Sequence, residues 1–220
     1  MQNKIIVAGI GPGNVDFITP AALKQIRAAK FLAGSHRALK DFSSAQQTTC
    51  AITGDLNAAL NFIREKISVD NVCVMVSGDP GYYSLLDMLR KNFPPTQIEV
   101  IPSVSAMQVA FAKISLPWHD ATLASFHGRQ PTREVLTFAP EKILGLLTDA
   151  EFNSASISKL LVDEFNWPKS SAVTICARLS YPDEKIFTTT LELAAVGEVV
   201  KHCVLIVRER DDFDISRLSK

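Results

Sequence analysis

Three short stretches hold residues able to meet a ligand. The first is Gly9-Ile10-Gly11-Pro12-Gly13, where the apolar run Ile5 to Ile10 stops. Its glycines let the backbone pass close to something flat. It departs from a dinucleotide fingerprint, because the glycine required next is Asn14 and Pro12 lacks an N–H that a pyrophosphate would use. No Gly-Lys-Ser/Thr follows, which excludes a P-loop. Taken alone, the stretch also reads as a tight turn. The second is Ser77-Gly78-Asp79-Pro80-Gly81-Tyr82-Tyr83. Asp79 at a strand end can accept hydrogen bonds from hydroxyl or amine donors. The two tyrosines offer flat amphipathic surface suited to a ribose or a sulfonium cation. A helix-capping aspartate with tyrosines in the core fits the same residues. The third is Pro102-Ser103-Val104-Ser105, another small-residue loop.

Each of these turns needs a strand before it and a helix after it. Lys4 to Ile10, Val72 to Val76 and Ile98 to Ile101 read as strands, and Phe31 to Ala33, closed by Gly34, as another short one. Thr19-Pro20 starts a helix with Leu23, Ile26 and Ala29 at helical spacing. Helices are expected over Leu56 to Lys66, from near Ser84 with Leu85, Met88 and Leu89 on one face, and after Ser105 with Ala106, Val109, Ala110 and Lys113. This alternation predicts a mostly parallel sheet with right-handed crossovers, whose ligands sit outside the strand carboxyl ends. Leu116-Pro117-Trp118 reads as a boundary, giving domains 1–117 and 118–220. In the second, strands are expected at Ala121 to Phe126, Lys142 to Leu147, Ala172 to Ala177, Ile186 to Thr189 and His202 to Arg208. An amphipathic helix carries Ile157, Leu160, Leu161 and Phe165. Fewer helices among more strands predict a mixed sheet. The tail from Glu209 is charged and expected to fray.

Composition narrows the classes. The 220 residues include 23 Lys plus Arg against 23 Asp plus Glu, with 47% apolar and 21% charged residues. Balanced charge argues against a nucleic-acid binder, and ordinary composition against disorder. No run approaches the roughly 20 apolar residues of a membrane span, and no secretory signal is visible at the start, so a cytoplasmic protein is expected. The four cysteines form no CxxC pair and read as buried thiols. The four histidines show no HxxxH or HExxH spacing, so no metal site is expected.

Gly9 to Gly13, Ser-Gly-Asp-Pro at 77–80 and Ile-Pro-Ser-Val-Ser at 101–105 occur in the order found in the tetrapyrrole (corrin/porphyrin) methylase family, which the chain resembles over almost its whole length. More narrowly, Leu-Pro-Trp-His-Asp at 116–120, Phe-His-Gly-Arg at 126–129, Leu-Leu-Thr-Asp at 146–149 and Tyr-Pro-Asp-Glu at 181–184 are similar to the branch that methylates C5 of cobalt-precorrin-7. The same segment is similar to the N-terminal half of fused C5,15-methylating enzymes. The resemblance implies two α/β domains with S-adenosylmethionine between them, in a homodimer. It implies cofactor contacts from Pro12, Ser77, Gly78, Asp79 and Tyr82, with Asp79 as the polar anchor. Ser105 and Ala106 match its small-residue pair, Leu147 its adenine-side apolar residue, and Arg178 and Leu179 its backbone contacts. Departures are Ser103 where glycine is common, Ala177-Arg178-Leu179-Ser180 in place of a Glu-Asn-Leu-Gly-like stretch, and Phe152-Asn153-Ser154 without Asn-x-Pro. At 220 residues the chain is expected to lack a C15-methylating, decarboxylating half and to work with a separate enzyme that supplies it.

Methyl transfer of this kind is catalysis by positioning. His127, beside Gly128, is the candidate base or orienting group. Arg37 and Arg129, and more weakly Lys113, are candidates for the carboxylates of a corrinoid substrate. Arginines and lysines of a solvated surface, and a loop histidine bonded to backbone, fit the same residues. Two other readings are another tetrapyrrole methylase and a non-catalytic tetrapyrrole- or nucleotide-binding module.

Overall fold

Apolar runs too short for helices become strands, and the computed structural model, which describes residues 2–210, arranges them in two sheets. The chain order is β1 (Ile5–Gly9), α1 (Pro20–Ala28), β2 (Phe31–Gly34), α2 (His36–Phe42), β3 (Thr48–Ala51), α3 (Leu56–Lys66), β4 (Val72–Val76), α4 (Leu86–Asn92), β5 (Ile98–Ile101) and α5 (Ala106–Lys113). There follow β6 (Thr122–Ser125), α6 (Arg133–Leu136), β7 (Leu144–Leu147), α7 (Ser154–Glu164), β8 (Ala172–Ala177), β9 (Lys185–Thr190), α8 (Leu191–Val196) and β10 (Val204–Arg208). The expected frayed tail lies, beyond Arg210, outside the described residues.

The first sheet is parallel throughout, in the order β3-β2-β4-β1-β5. Burial on both faces explains why β1 and β4 are apolar without alternation. Ile5 and Val7 pack with Leu60, Ile63 and Leu89 on one face, and Ile6 and Ala8 with Ala22 and Ile26 on the other. Thr19 caps α1 by accepting from the Ala22 N–H, and Pro20 occupies its first turn, as its sequence predicts. Two elements were not anticipated. Thr48 and Thr49 of β3 are exposed at the sheet edge and leave no apolar pattern, and α2 is held by its Ser35 cap more than by periodicity.

The second sheet is mixed, in the order β6-β7-β10-β8-β9. β6 and β7 are parallel, and the remaining neighbours antiparallel. α7 and α8 cover one face over Leu144, Leu146, Val173, Ile175 and Leu205. In place of the missing Asn-x-Pro, Asn153 and Ser156 form a capping box at the start of α7. Neither α6 nor α8 was anticipated, both being short. Packing divides the chain into compact units of residues 1–106 and 107–220, so the division falls inside α5 and ahead of Leu116-Pro117-Trp118. The reason is local: Met107 and Phe111 crowd Gly145 of β7, committing most of the helix to the second sheet.

Cys73, Cys176 and Cys203 are buried and Cys50 half-buried. Burial pushes the Cys73 and Cys176 thiols up to about 12 and raises that of Cys203. Iodoacetamide near neutral pH is therefore expected to label Cys50 first, because the thiolate is the nucleophile. Peptide mass spectrometry checks this, and early labelling of Cys73 or Cys176 in the folded protein would contradict it.

Candidate functional site

In the first unit β4, β1 and β5 are neighbours and run parallel, so their carboxyl ends lie side by side. The three turns that follow them are tied to one another pairwise. The Gly78 N–H donates to the Gly11 carbonyl at 2.8 Å, joining the first and second turns. The Asp79 Oδ2 accepts from the Ser103 N–H at 2.9 Å, joining the second and third. The Ser103 hydroxyl donates to the Phe17 carbonyl at 3.1 Å, joining the third to the segment just past the first. The turns thus form one continuous floor.

Asp79 is the knot of this floor. Its Oδ1 accepts from the Gly81 N–H at 2.8 Å while Oδ2 holds Ser103. It does not cap α4, whose N-cap residue is Leu85 without a side-chain bond. Gly9 lies where the turns come closest. A Cβ there would stand 2.6 Å from Ser103 Cβ, 2.8 Å from the Gly78 carbonyl oxygen and 2.8 Å from Pro80 Cδ. Gly78 has a φ of +69°, and a Cβ on it would stand 3.7 Å from Ser105 Cα and 4.0 Å from the Ala106 nitrogen, so the second turn lies in van der Waals contact with the head of α5. Pro12 is half-buried in the first turn, Ser77 exposed, Ser105 buried and Ala106 half-buried at the head of α5. Ser103, an anticipated departure, replaces glycine with a hydroxyl that adds a tie. Phe17 was not foreseen as part of the floor, because it contributes only its carbonyl.

Tyr82 is half-buried, and its hydroxyl is sealed from solvent with no hydrogen-bond partner among the described residues. Burial, then neighbouring Tyr83, pushes its pKa well above the usual value. Its ring meets that of Tyr83 edge-on, with centroids 4.9 Å apart. An unmet buried hydroxyl destabilises the fold by itself. Tyr82→Phe is therefore expected to leave the melting temperature unchanged or slightly raised, while weakening any ligand that meets the hydroxyl. Thermal melts with and without S-adenosylhomocysteine check both halves.

In the second unit the carboxyl ends of β6, β7 and β8 share one sheet edge, because β10 runs antiparallel between β7 and β8. Leu147, Val204 and Cys176 stand in register there. Leu147 is half-buried and His127 and Arg129 are exposed. Asp149, which was not singled out as a site residue, organises this edge much as Asp79 does the floor. It accepts from the Gly128 N–H at 3.3 Å, the Glu151 N–H at 2.9 Å and the Phe152 N–H at 2.7 Å. The Phe152 N–H foremost, with those of Gly128 and Glu151 and the nearby His127, holds its carboxyl below the usual range. Its signal in the sequence is the one Asp79 gives: an aspartate just past an apolar strand.

Arg178 and Ser180 both have positive φ, +53° and +67°, in the turn after β8. The Arg178 Nε donates to both oxygens of Asp183, and its guanidinium lies 4.3 Å from the Tyr181 ring centroid. Leu179 is buried. Lys113 pairs with Glu184 Oε1 at 2.6 Å, and Glu184 Oε2 accepts from the Ser180 N–H at 2.7 Å. Lys113 thus steadies the turn after β8. Three of the four narrower motifs, 126–129, 146–149 and 181–184, gather at this edge, whereas 116–120 precedes β6 at its opposite end. Among the described residues no cluster of His, Cys, Asp and Glu is placed to hold a metal ion, and no helix is long and apolar enough to cross a membrane.

A parallel α/β unit with fused strand-end turns, followed in one chain by a mixed α/β unit, defines a two-unit α/β class, and in open sheets of the first kind ligands bind outside the strand carboxyl ends. Residues 4–195 match the Tetrapyrrole (Corrin/Porphyrin) Methylases. The chain belongs to that family and is a methyltransferase, with S-adenosylmethionine the methyl donor that the family implies. It is 28% identical over 217 residues to a probable cobalt-precorrin-7 C(5)-methyltransferase of Methanocaldococcus jannaschii, covering 94% of this chain and 99% of the relative. It is 32% identical over 158 residues to the cobalt-precorrin-7 C(5)-methyltransferase of Salmonella typhimurium, covering 72% and 77%. The uroporphyrin-III C-methyltransferase of Thermus thermophilus, solved with S-adenosylhomocysteine, has the same fold, with a TM-score of 0.71 at 19% identity over 94% of this chain and 92% of that one.

Proposed function

We propose that this protein is a methyltransferase of cobalamin biosynthesis that transfers a methyl group from S-adenosylmethionine to C5 of cobalt-precorrin-7. The observation that carries the position of methylation is the near full-length match to the Methanocaldococcus protein, supported by the Salmonella one. The floor fits the cofactor on its own chemistry. The buried Tyr82 hydroxyl lacks a partner among the described residues, and the positive φ of Gly78 bends the second turn as only glycine readily allows. Pro12, Ser77, Gly78, Asp79, Tyr82, Ser105 and Ala106 would hold S-adenosylmethionine, and Leu147, Arg178 and Leu179 are proposed as further cofactor residues. When bound, the cofactor supplies an activated methyl whose leaving group is a neutral sulfide, so the chain need furnish no acid there.

What the chain does is orient and, at one atom, move a proton. Asp149 fixes the turn that carries His127, and His127 is the candidate base beside the accepting carbon. Arg129, exposed on the same turn, suits a macrocycle carboxylate. A homodimer in the cytoplasm, working with a separate C15-methylating decarboxylase, completes the proposal. One relative unites the C5 and C15 activities in a single chain, of which this chain matches 41%. The test is a mass-spectrometric methylation assay with cobalt-precorrin-7, cobalt-precorrin-4 and uroporphyrinogen III. A single methyl added to the first alone, with the label at C5, is expected. Turnover of another acceptor and not this one would overturn the assignment.

A further inference from the structure

Arg37 lies at the start of α2, directly after β2. β2 pairs with β4 in the register Ala33 to Val74, so the end of β2 stands beside the turn after β4. The Ser35 cap, accepting from the Ala38 N–H at 3.2 Å, sets the direction in which α2 leaves. The Arg37 Nη1 then donates to the Gly13 carbonyl at 3.4 Å, and Nη2 to the Ser77 hydroxyl oxygen at 3.2 Å. Asp41, one turn along α2, stands 3.9 Å from Nη1. One guanidinium therefore touches the first turn and the second at once, and with 31% of its side chain exposed it is partly sheltered from solvent.

We infer that Arg37 is a positioning residue that braces the first turn of the floor against the second. This inference rests on the floor being the S-adenosylmethionine site. A planar fork can serve two acceptors in fixed directions, which the single ammonium of a lysine does not reproduce. The brace also sets the polarity of Ser77. A hydroxyl has one proton, and an oxygen that accepts from Arg37 turns that proton outward as a donor. The exposed face of Ser77 thus offers a donor to a ligand oxygen. Arg37 acts on the cofactor through Gly13 and Ser77, where its sequence had suggested a direct contact with substrate carboxylates.

The test uses the full-length protein with Arg37→Met, which keeps length without donors, and Arg37→Lys, which keeps charge. Both leave the Ser35 cap in place. In calorimetry with S-adenosylhomocysteine, Arg37→Met is expected to raise Kd at least tenfold and Arg37→Lys to recover only part of that loss. The KM for cobalt-precorrin-7 at saturating S-adenosylmethionine should move less than threefold. Hydrogen exchange should quicken in residues 10–14 and 77–81 while the sheet amides stay protected. Unchanged Kd and unchanged exchange in those turns would overturn the brace, as would a tenfold rise in corrinoid KM alone. Should Arg37→Met fail to fold, Arg37→Lys carries the same readouts. Failure of the wild-type protein to bind S-adenosylhomocysteine would instead defeat the cofactor site on which the inference rests, whatever the exchange data show.

Discussion

Replacing Asp79 with alanine is expected to destabilise the protein by about 2–4 kcal/mol and to weaken S-adenosylhomocysteine binding roughly 10- to 100-fold. The carboxylate accepts from the Gly81 and Ser103 N–H groups. Hydrogen bonds to a charged acceptor contribute about 1.5–3 kcal/mol each, and their donors would be left unmet in a half-buried turn. The loss is larger than one capping residue gives, because Ser103 belongs to a different turn and its freed segment also carries the tie to Phe17. Asp79→Asn should recover only part, since its NH2 group would face one of the two donors. Urea unfolding followed by two probes measures the first effect and calorimetry the second. A variant with unchanged unfolding midpoint and unchanged affinity would remove Asp79 from both roles.

Gly9→Ala should be nearly as damaging although it adds a single methyl group. The new carbon would overlap Ser103 Cβ, the Gly78 carbonyl oxygen and the Pro80 ring, none of which is the end of a flexible side chain. Forced overpacking of this kind costs about 1–3 kcal/mol. Here the strain falls where all three turns meet, so relief requires parting them. Cofactor affinity should therefore drop at least tenfold even where the protein remains folded. Gly54→Ala is the control, since nothing lies within 4 Å of a Cβ at that position. It should change stability by no more than about 0.5 kcal/mol. Equal behaviour of the two variants in thermal melts and calorimetry would refute the crowded junction at Gly9.

The elements that were legible share one property, a local pattern set either by burial or by helix capping. β1 and β4 are buried on both faces and read as unbroken apolar runs, and α1 announces itself through Thr19-Pro20. Elements without that pattern stayed hidden. β3 is an exposed edge, and α8 is six residues long. Among site residues, the turns after β1, β4 and β5 were legible because glycine, proline and small polar residues cluster where a strand must stop. Asp149 follows an apolar strand as Asp79 does, but it was read only as the last residue of the 146–149 motif, since no glycine-rich turn follows it to mark the place.

The amino-acid sequence by itself determined that there are two α/β units, which runs form their central strands, and that the small-residue turns fall at strand carboxyl ends. Only the tertiary structure decided what those turns and their neighbours hold. Asp79 finds Ser103 across 24 positions, Arg37 finds Ser77 across 40, and Lys113 finds Glu184 across 71. Periodicity and capping are properties of a few consecutive residues. The first two pairings follow instead from strand order, which sets β1 between β4 and β5 and β2 beside β4, and the third from the packing of α5 with the second sheet.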